Sequence, residues 1–406
     1  MNRTIKNSDT RFLPVLLGTD ANCYGMARAF HEAYGIKSLA LGKFPLLETR
    51  KSRIVEVHTH PDFDKAPTFL STLDDVASLY KGYYDALLLI ACGDRYTELV
   101  CEHKEELSKR FVIPYIDHAL KLQLENKADF YDMCDRYGLP YPATHIVTAE
   151  SQDDLDLPFD FPVALKASNS IEWLEIDFPG KKKAFKVDSP EELQDLVHKS
   201  YAAGYTDKLI IQDFIPGGDD AMYVLNSYSN DQGKVQMMCL GHCLLEDHTP
   251  AGVGNYNAIL QEGNDDLYKT YQRFLEAIDF IGFANFDLKY DARDGQYKVF
   301  EINIRQGRSS YFTTASGCNL ATWLVRDRVE GIHLDTPHYH NNPTLWLHVP
   351  VDFFLDYAPE DELPRIRRLI NEGRVANTLL YEKDLGLYRR LMINRFYHGQ
   401  RKRMLT

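Results

Sequence analysis

The chain has 406 residues, 44% of them hydrophobic and 26% charged, a composition typical of a globular protein with about two or three domains. Its net charge of −13 argues against nucleic acid as the main partner. The seven cysteines are scattered without a Cys-x-x-Cys pair, and the longest apolar run, Ala86–Cys92, is too short to span a bilayer. We therefore expect reduced thiols, a cytoplasmic location and neither a signal peptide nor a transmembrane segment.

Residues 1–115 alternate between strand-like and helix-like segments. The predicted strands are Leu13–Leu17, Ser38–Leu41, Ile54–Val57 and Asp85–Cys92, and the predicted helices are Met26–Tyr34 and Arg95–Arg110. This alternation predicts a parallel α/β sheet. The loop Gly18–Asn22 follows the first strand, at the end where such sheets bind ligands, but the dinucleotide fingerprint Gly-x-Gly-x-x-Gly is absent.

The next part of the chain carries further regular elements. Helices are predicted from Leu120 to Gly138 and from Pro190 onward, the second after the capping box Ser189-x-x-Glu192. The predicted strands are Phe161–Ala167, Leu209–Ile215, Met222–Tyr228 and Val235–Leu245. Lys166 lies on the first of these strands among apolar residues, where a buried ammonium group needs a partner.

A helix and then a β-hairpin are predicted between residues 265 and 304. Residues 265–281 have the pattern of an amphipathic helix. The hairpin strands are residues 283–291 and 297–304, and residues 292–296 between them are turn-forming. Apolar residues alternate in step along both strands, which supports this register.

The polar face of the predicted hairpin is a candidate metal site. The register places Asp287 opposite Glu301, and Asn303 falls on the same face. Two carboxylates and an amide oxygen suit one or two hard cations such as Mg²⁺, whereas an ordinary solvated hairpin face is the alternative. Arg305 and Arg308 follow directly and suit phosphate or carboxylate partners.

The order of these features resembles the ATP-grasp carboxylate–amine ligases. The likeness rests on a helix lysine before a Gly-x-Pro turn, a second lysine on a strand, the segment Gln212–Asp220 and the Asp…Glu-x-Asn-x-Arg hairpin. It covers roughly residues 1–330 and implies an α/β fold of the ATP-grasp type. The implied domains are a pre-ATP-grasp α/β domain, a small lobe, a large lobe with the metal site and a C-terminal extension, at residues 1–115, 116–208, 209–330 and 331–406.

The resemblance also implies a role for each matching residue. ATP would be bound through its phosphates, adenine and ribose by Lys127, Lys166, Ser168, Gln212, Phe214, Ile215 and either Asp219 or Asp220. Magnesium, expected as two ions, would be held by Asp287, Glu301 and Asn303, while Arg305 would balance charge on the transferred phosphoryl group. This chain departs from the family pattern in its glycine-poor flap Ala167–Ser170, in Gln212 where an acid is usual, and in Ile304 where a proline is usual.

Within that family, the segment Glu301–Gly317 is most similar to bacterial D-aspartate ligases, which add D-aspartate to a lysine of a peptidoglycan precursor. This likeness implies that Arg308 holds one carboxylate of D-aspartate while the other is phosphorylated. The amine acceptor would be a UDP- or lipid-linked peptide. Another amino-acid or dipeptide ligase, and a nucleotide-binding module without catalysis, are the alternatives. Gly252–Asn255 is either a substrate loop or a plain turn.

The C-terminal residues are harder to interpret. Residues 385–406 contain no acid and six basic residues, namely Arg389, Arg390, Arg395, Arg401, Lys402 and Arg403. A solvated basic helix end is the favoured interpretation, and a peripheral contact with anionic lipid or a polyanionic precursor is the alternative. His338 and His340 are expected at the surface, and Cys239 and Cys243 in the core. Whether the chain forms a homodimer stays open.

Overall fold

The computed structural model describes residues 10–249, 252 and 254–404. The chain divides into two compact units. The first comprises Met1–His118, Met222–Phe286 and Asn303–Thr406, and the second comprises Ala119–Ala221 and Asp287–Ile302. The C-terminal extension therefore belongs to the same unit as the N-terminal α/β segment.

The N-terminal segment forms a parallel sheet, as predicted, and its strand order is β3-β2-β1-β4. Its strands are β1 (Phe12–Leu17), β2 (Ser38–Gly42), β3 (Val55–Thr59) and β4 (Ala86–Ala91). Its helices are α1 (Ala21–Tyr34), α2 (Ala66–Leu79), α3 (Asp94–Glu102) and α4 (Lys104–Leu107).

The helices of this segment differ from the prediction in three places. Helix α1 begins at Ala21 rather than Met26, because the Asp20 side chain accepts a hydrogen bond from the Cys23 N–H at 3.1 Å and caps the helix there. The helix predicted from Arg95 to Arg110 is divided at His103 into α3 and α4. Helix α2 was not predicted.

The second unit contains an antiparallel sheet with the strand order β5-β8-β6-β7. Its strands are β5 (Thr144–Val147), β6 (Val163–Ala167), β7 (Ala184–Val187) and β8 (Leu209–Asp213). Its helices are α5 (His118–Glu125, which starts at the boundary), α6 (Lys127–Tyr137), α7 (Ser170–Glu175), α8 (Pro190–Ala202) and a short 3-10 helix (Asp219–Ala221).

Local capping decides where these helices begin. The single helix predicted from Leu120 is broken at Asn126, whose side-chain oxygen accepts the N–H groups of Ala128 and Asp129 at 3.0 and 3.2 Å. Lys127 thus becomes the first residue of a new helix instead of lying inside a longer one. The predicted start at Pro190 is confirmed, since Ser189 accepts the Glu192 N–H at 3.3 Å.

A sheet of eight strands has the order β13-β12-β9-β10-β11-β15-β16, with β14 beside β10. These strands are β9 (Met222–Ser229), β10 (Val235–Glu246), β11 (Tyr256–Glu262), β12 (Gly282–Asp291), β13 (Gln296–Asn303), β14 (His338–His340), β15 (Leu345–Leu347) and β16 (Val375–Asn377). The accompanying helices are α9 (Asp265–Ala277), α10 (Tyr311–Ala315), α11 (Leu320–Arg328), α12 (Val351–Leu355), α13 (Leu363–Asn371) and α14 (Leu387–Met404).

The predicted hairpin is present as β12 and β13, each within a residue of its predicted bounds. The apolar residues that alternate along its two predicted strands are Phe286, Leu288, Tyr290, Phe300, Ile302 and Ile304. Four of these six are buried, namely Phe286, Leu288, Ile302 and Ile304. The other two, Tyr290 and Phe300, are only half-buried. The pairing of Asp287 with Glu301 stays a prediction.

The basic C-terminal residues do not form a uniformly solvated helix end. Arg389 is 2% exposed; its guanidinium lies 3.1 Å from Asp384 and donates to the backbone carbonyls of Glu48 and Arg50 at 2.6 and 2.9 Å. The interpretation as a solvated helix end is therefore wrong for Arg389, whereas Arg390 and Arg395 are exposed. Among the described residues, no helix has both the length and the apolar character needed to cross a bilayer. All seven cysteines are buried and free, as predicted.

Candidate active site

Lys166 occupies a cationic site in the second unit. It lies on β6, paired with Ala184 on one side and Ile210 on the other. Its ammonium group is 4.5 Å from the centroid of the Phe300 ring. Burial lowers the pKa of Lys166 to about 8, and nearby Lys127, Lys183 and Lys289 lower it further while Glu301 opposes the shift.

The second unit thus brings Lys127, Lys183 and Lys289 close enough to Lys166 to shift its pKa. This excess of positive charge suits a polyphosphate ligand. Lys127 enters the cluster as the first residue of α6, and Lys289 lies on β12, buried, with its ammonium group donating to the Gly217 carbonyl at 2.8 Å. Our sequence analysis missed Lys183 and Lys289. Lys289 could have been found from the sequence, because it lies two residues after Asp287 and therefore on the same face of the strand.

The predicted adenine-binding segment begins on β8 with Gln212 and continues beyond the strand to Phe214 and Ile215. Gln212 is 1% exposed and its side-chain amide donates to the Thr144 hydroxyl at 2.9 Å. The Phe214 N–H donates to the Pro162 carbonyl at 3.3 Å. The adenine contacts of Gln212 and of the backbone at Phe214 and Ile215 stay a prediction. Gln212 is held as part of the sheet.

The predicted flap and ribose contacts also lie in the second unit. Ser168 is 4% exposed, and its N–H donates to the Lys208 carbonyl at 3.0 Å, so it is anchored beside the sheet rather than displayed on a projecting flap. Asp219 and Asp220 both lie on the short 3-10 helix, Asp219 half-buried and Asp220 exposed. The choice between them stays open.

The three predicted magnesium ligands all lie on the hairpin. Asp287 is half-buried on β12 and Glu301 is exposed on β13, both in the second unit. Asn303, the last residue of β13, belongs to the first unit. Its amide nitrogen donates to the side-chain oxygen of Asn285 at 3.2 Å, which orients the amide oxygen the other way. These oxygen donors are of the type that Mg²⁺ prefers.

Arg305 lies in the first unit, where its Nε donates to Asp94 at 2.6 Å and its Nη1 to the Gln306 carbonyl at 3.0 Å. Asp94 is the first residue of α3. This partner was not apparent from the sequence, since α3 and the hairpin are far apart along the chain. The ion pair holds the guanidinium in a defined orientation.

Arg308 lines a small cavity in the first unit. The cavity has a volume of about 180 Å³ and is lined by Asp20, Ala21, Glu48, Asp247, Thr249, Arg308, His348, Phe396 and Gln400. Pockets for drug-sized ligands measure about 300–1,000 Å³, so this one suits a much smaller molecule. Its lining is rich in charge, with one guanidinium and three carboxyl groups.

Burial and the charges of neighbouring side chains shift the pKa values of the residues that line this cavity. Burial lowers the pKa of Arg308, while Asp247, Glu48 and Asp20 act in the opposite direction. Burial raises the pKa of Asp20, and it also raises the pKa of Glu48, with Asp20 adding to that shift. Burial and the charge of Arg308 hold the pKa of His348 well below its usual range, so its imidazole is neutral near neutral pH.

Two buried polar atoms in the cavity lining have no hydrogen-bond partner among the residues that the structure describes. They are Nδ1 of His348 and Oε1 of Gln400, on side chains from residues that are 2% and 5% exposed. Asn257 lies beside them, because its Oδ1 accepts from Arg308 Nη2 at 3.3 Å and from Gln400 Nε2 at 3.5 Å. Our sequence analysis missed Asn257, His348 and Gln400, as no local motif marks them.

The turn beyond β10 shapes the acidic side of the cavity. Asp247 accepts from the N–H and hydroxyl of Thr249 at 3.1 and 2.7 Å. A Cβ atom on Gly252 would come within 2.5 Å of both carboxylate oxygens of Asp247, so a larger residue there would displace that carboxylate. Of the predicted segment Gly252–Asn255, Val253 lies outside the described residues.

A second cluster of potential metal ligands has a different explanation. Cys318, His338 and His340 bring ligand atoms within 4.8 Å of one another. The predicted surface position is wrong for His340, which is 7% exposed. His338 Nε2 lies 3.0 Å from His340 Nδ1, His340 Nε2 contacts the Ser316 carbonyl at 3.1 Å, and the Trp323 indole donates to Cys318 at 3.2 Å. These hydrogen bonds account for the cluster. Cys239 and Cys243 are fully buried, as predicted.

We compared the sequence and the structure with those of known proteins to identify the family of this chain. No protein-family model matches the chain. The D-aspartate ligase of Enterococcus faecium (strain Aus0004) is 47% identical over 409 residues, which cover 98% of this chain and 97% of that protein. An L-amino acid ligase from Bacillus licheniformis has a similar structure, with a TM-score of 0.55 and 16% identity, covering 79% of this chain and 75% of that one.

A third similar structure is the biotin carboxylase domain of Hydrogenobacter thermophilus 2-oxoglutarate carboxylase, in complex with MgADP, ADP and bicarbonate. Its TM-score is 0.58 with 15% identity, and the match covers 82% of this chain and 73% of that one. These two structural likenesses confirm the predicted ATP-grasp fold. Together with the identity to the enterococcal enzyme over nearly the whole length, they show that this chain belongs to the D-aspartate ligase family of ATP-grasp carbon–nitrogen ligases.

Proposed function

We propose that this protein uses ATP to join D-aspartate to the lysyl amine of a peptidoglycan precursor, through an acyl-phosphate intermediate. The structural observation that carries the proposal is the cavity of about 180 Å³, in which Arg308 lies among three carboxyl groups. A small amino dicarboxylate has the charges that such a lining complements. The 47% identity to a D-aspartate ligase supports the same substrate.

The proposed reaction has two steps. A carboxylate oxygen of D-aspartate attacks the γ-phosphorus of ATP, the bond to the β–γ bridging oxygen breaks, and ADP leaves. The acceptor amine then attacks the acyl carbon, the bond from that carbon to the phosphate oxygen breaks, and inorganic phosphate leaves as the amide forms and the amine loses a proton. No covalent bond to the protein is required. The protein contributes positioning and charge neutralisation.

ATP is assigned to the second unit. The cluster of Lys127, Lys166, Lys183 and Lys289 suits its phosphates, and Gln212, Phe214 and Ile215 suit adenine. We assign two magnesium ions to the oxygen donors Asp287, Glu301 and Asn303. Magnesium supplies charge neutralisation at the phosphoryl oxygens. MgADP in the similar biotin carboxylase structure supports ATP and Mg²⁺ as ligands, and the residues named here are our assignment.

The proposed function is tested by ADP release and product mass. The purified protein is mixed with ATP, Mg²⁺ and a UDP-linked pentapeptide precursor that contains lysine, and D-aspartate, L-aspartate, D-alanine or D-glutamate is added in turn. We expect ADP release to depend on both D-aspartate and the precursor, with one aspartyl residue added to the precursor by mass spectrometry. A product formed only with another amino acid would replace D-aspartate as the substrate, and ADP release without any product would overturn the ligase reaction.

The lowered pKa of Lys166 leads to a pH-dependent affinity for ATP. Only the protonated amine attracts phosphate, and the Lys166 pKa of about 8 means that this form declines as pH rises through that value. We therefore expect kcat/KM for ATP to fall above a pH of about 8. The value of kcat at saturating ATP should lack this inflection, because bound phosphate favours the protonated amine.

Lys166→Arg is the matched control, because a guanidinium stays charged throughout this range. The variant is expected to have a lower kcat/KM for ATP and no inflection near this pH. An inflection that is unchanged in Lys166→Arg would show that another group titrates.

A further inference from the structure

We propose that the C-terminal extension completes the substrate cavity. Two of its residues, His348 and Gln400, are specificity-determining residues. They bind the α-ammonium and α-carboxylate groups of the amino dicarboxylate, which together form its head group. This inference rests on the proposed function and names the part of the substrate that the cavity in the first unit recognises. It also gives residues 331–406 a role that differs from a membrane-binding tail.

The unpartnered atoms of His348 and Gln400 are the first argument. Nearly all buried polar atoms in folded proteins are hydrogen-bonded, and an unpaired one is unfavourable. Here two such atoms, His348 Nδ1 and Gln400 Oε1, belong to side chains that line one cavity. The amide oxygen of Gln400 can only accept a hydrogen bond, so its natural partner is a donor such as an ammonium group.

The charges of the cavity are the second argument. Arg308 supplies the donors for a carboxylate, and Asp20, Glu48 and Asp247 supply acceptors for an ammonium group. A neutral His348 adds one donor and one acceptor without competing as a cation with Arg308. An α-amino acid head group carries a carboxylate and an ammonium group on one carbon, which matches a cavity with both kinds of partner side by side. The second carboxylate is then the one that reacts.

The anchoring of helix α14 is the third argument. Arg389 on this helix donates to the Glu48 carbonyl at 2.6 Å, and Tyr397 donates to the Asn377 side chain at 2.8 Å. Both residues lie on the buried side of the helix, 2% and 5% exposed. Gln400 follows one turn after Tyr397 on the same helix, so its position in the cavity lining is set by these contacts. The helix therefore forms a wall of the cavity.

Calorimetry with the full-length protein and three ligands tests this assignment. The ligands are D-aspartate and two analogues of it. Succinate lacks the ammonium group, and β-alanine lacks the α-carboxylate. Wild-type protein is expected to bind D-aspartate more tightly than either analogue. In Gln400→Leu, which removes an acceptor, affinity for D-aspartate should fall by about tenfold or more while succinate binding changes little. Gln400→Glu keeps an acceptor oxygen but loses the Nε2 donor to Asn257, so it should bind D-aspartate more tightly than Gln400→Leu and more weakly than wild type.

Control variants distinguish an effect on D-aspartate binding from a loss of folding and from the loss of a basic charge on helix α14. His348→Phe is a second variant and should also weaken D-aspartate binding, with the KM for ATP and the midpoint of thermal unfolding close to wild type. Arg395→Ala removes a charge from the exposed face of the same helix and should leave the KM for D-aspartate unchanged. Folded Gln400→Leu and His348→Phe proteins whose D-aspartate affinity stays within about twofold of wild type would overturn the proposal.

Failure of the proposed ligase reaction can be distinguished from failure of the cavity assignment. Binding of D-aspartate to wild-type protein without ADP release would overturn the reaction and leave the cavity assignment standing if the variants behave as expected. Absence of D-aspartate binding to wild-type protein in the presence of MgADP would overturn the cavity assignment.

Discussion

Replacing Arg308 by alanine is expected to lower kcat/KM for D-aspartate by about 10²–10³-fold while the KM for ATP stays near wild type. Among the described residues that line the cavity, Arg308 is the one cation, and Asp20, Glu48 and Asp247 are the acids. Its removal takes away the carboxylate partner and leaves three acids that repel the substrate carboxylates. Truncating one partner of a buried charge pair costs about 2–5 kcal/mol, which corresponds to about 30- to 5,000-fold, and the expected loss lies in the middle of that range.

Arg308→Lys is the informative companion variant. A lysine keeps the charge but has no planar fork of donors, so it cannot hold a carboxylate with two parallel hydrogen bonds. We expect a loss between those of wild type and Arg308→Ala, mainly in the KM for D-aspartate. Steady-state kinetics with D-aspartate varied at saturating ATP measure both variants. If Arg308→Ala retained kcat/KM within about threefold of wild type, Arg308 would not bind the substrate.

Asp287→Asn is expected to reduce kcat by at least about 10³-fold, the largest effect predicted for a single substitution in this chain. The change keeps the shape of the side chain but removes the negative charge that a magnesium ligand supplies. Asp287 would hold magnesium, which when bound would supply charge neutralisation at the phosphoryl oxygens, so loss of this ligand should impair the chemical step more than the binding of D-aspartate. Single-turnover measurement of ADP formation isolates that step.

Asp294→Asn is the matched control, because it makes the same chemical change in the turn of the same hairpin. Asp294 is exposed and pairs with Lys298 at 2.9 Å, so its loss should have little effect on turnover. Both proteins should unfold at temperatures close to wild type. Unchanged ADP formation by Asp287→Asn would show that Asp287 does not bind magnesium. It would also contradict the interpretation of the hairpin as a metal site.

Local patterns in the sequence were sufficient for much of the fold. The parallel N-terminal sheet and the hairpin β12–β13 were predicted within about a residue or two, because strand alternation and turn residues act over a few neighbouring positions. Lys166 was recognisable for a similar reason, since a lysine between apolar strand residues has to find a ligand or a charge partner. The break at Asn126 shows the limit, because a capping side chain competed successfully with a continuous helical pattern.

The composition of the two sites depended on contacts that are distant along the chain. The sequence by itself determined the Asp287…Arg308 motif, whose residues lie on one hairpin and the loop after it, and through it the ligase family. Only the tertiary structure placed Asn257, His348 and Gln400 beside Arg308, and Lys183 and Lys289 near Lys166. The physical reason is that periodicity and turn chemistry act between near neighbours, whereas the lining of a cavity is selected by packing among segments whose separation along the chain leaves no local pattern.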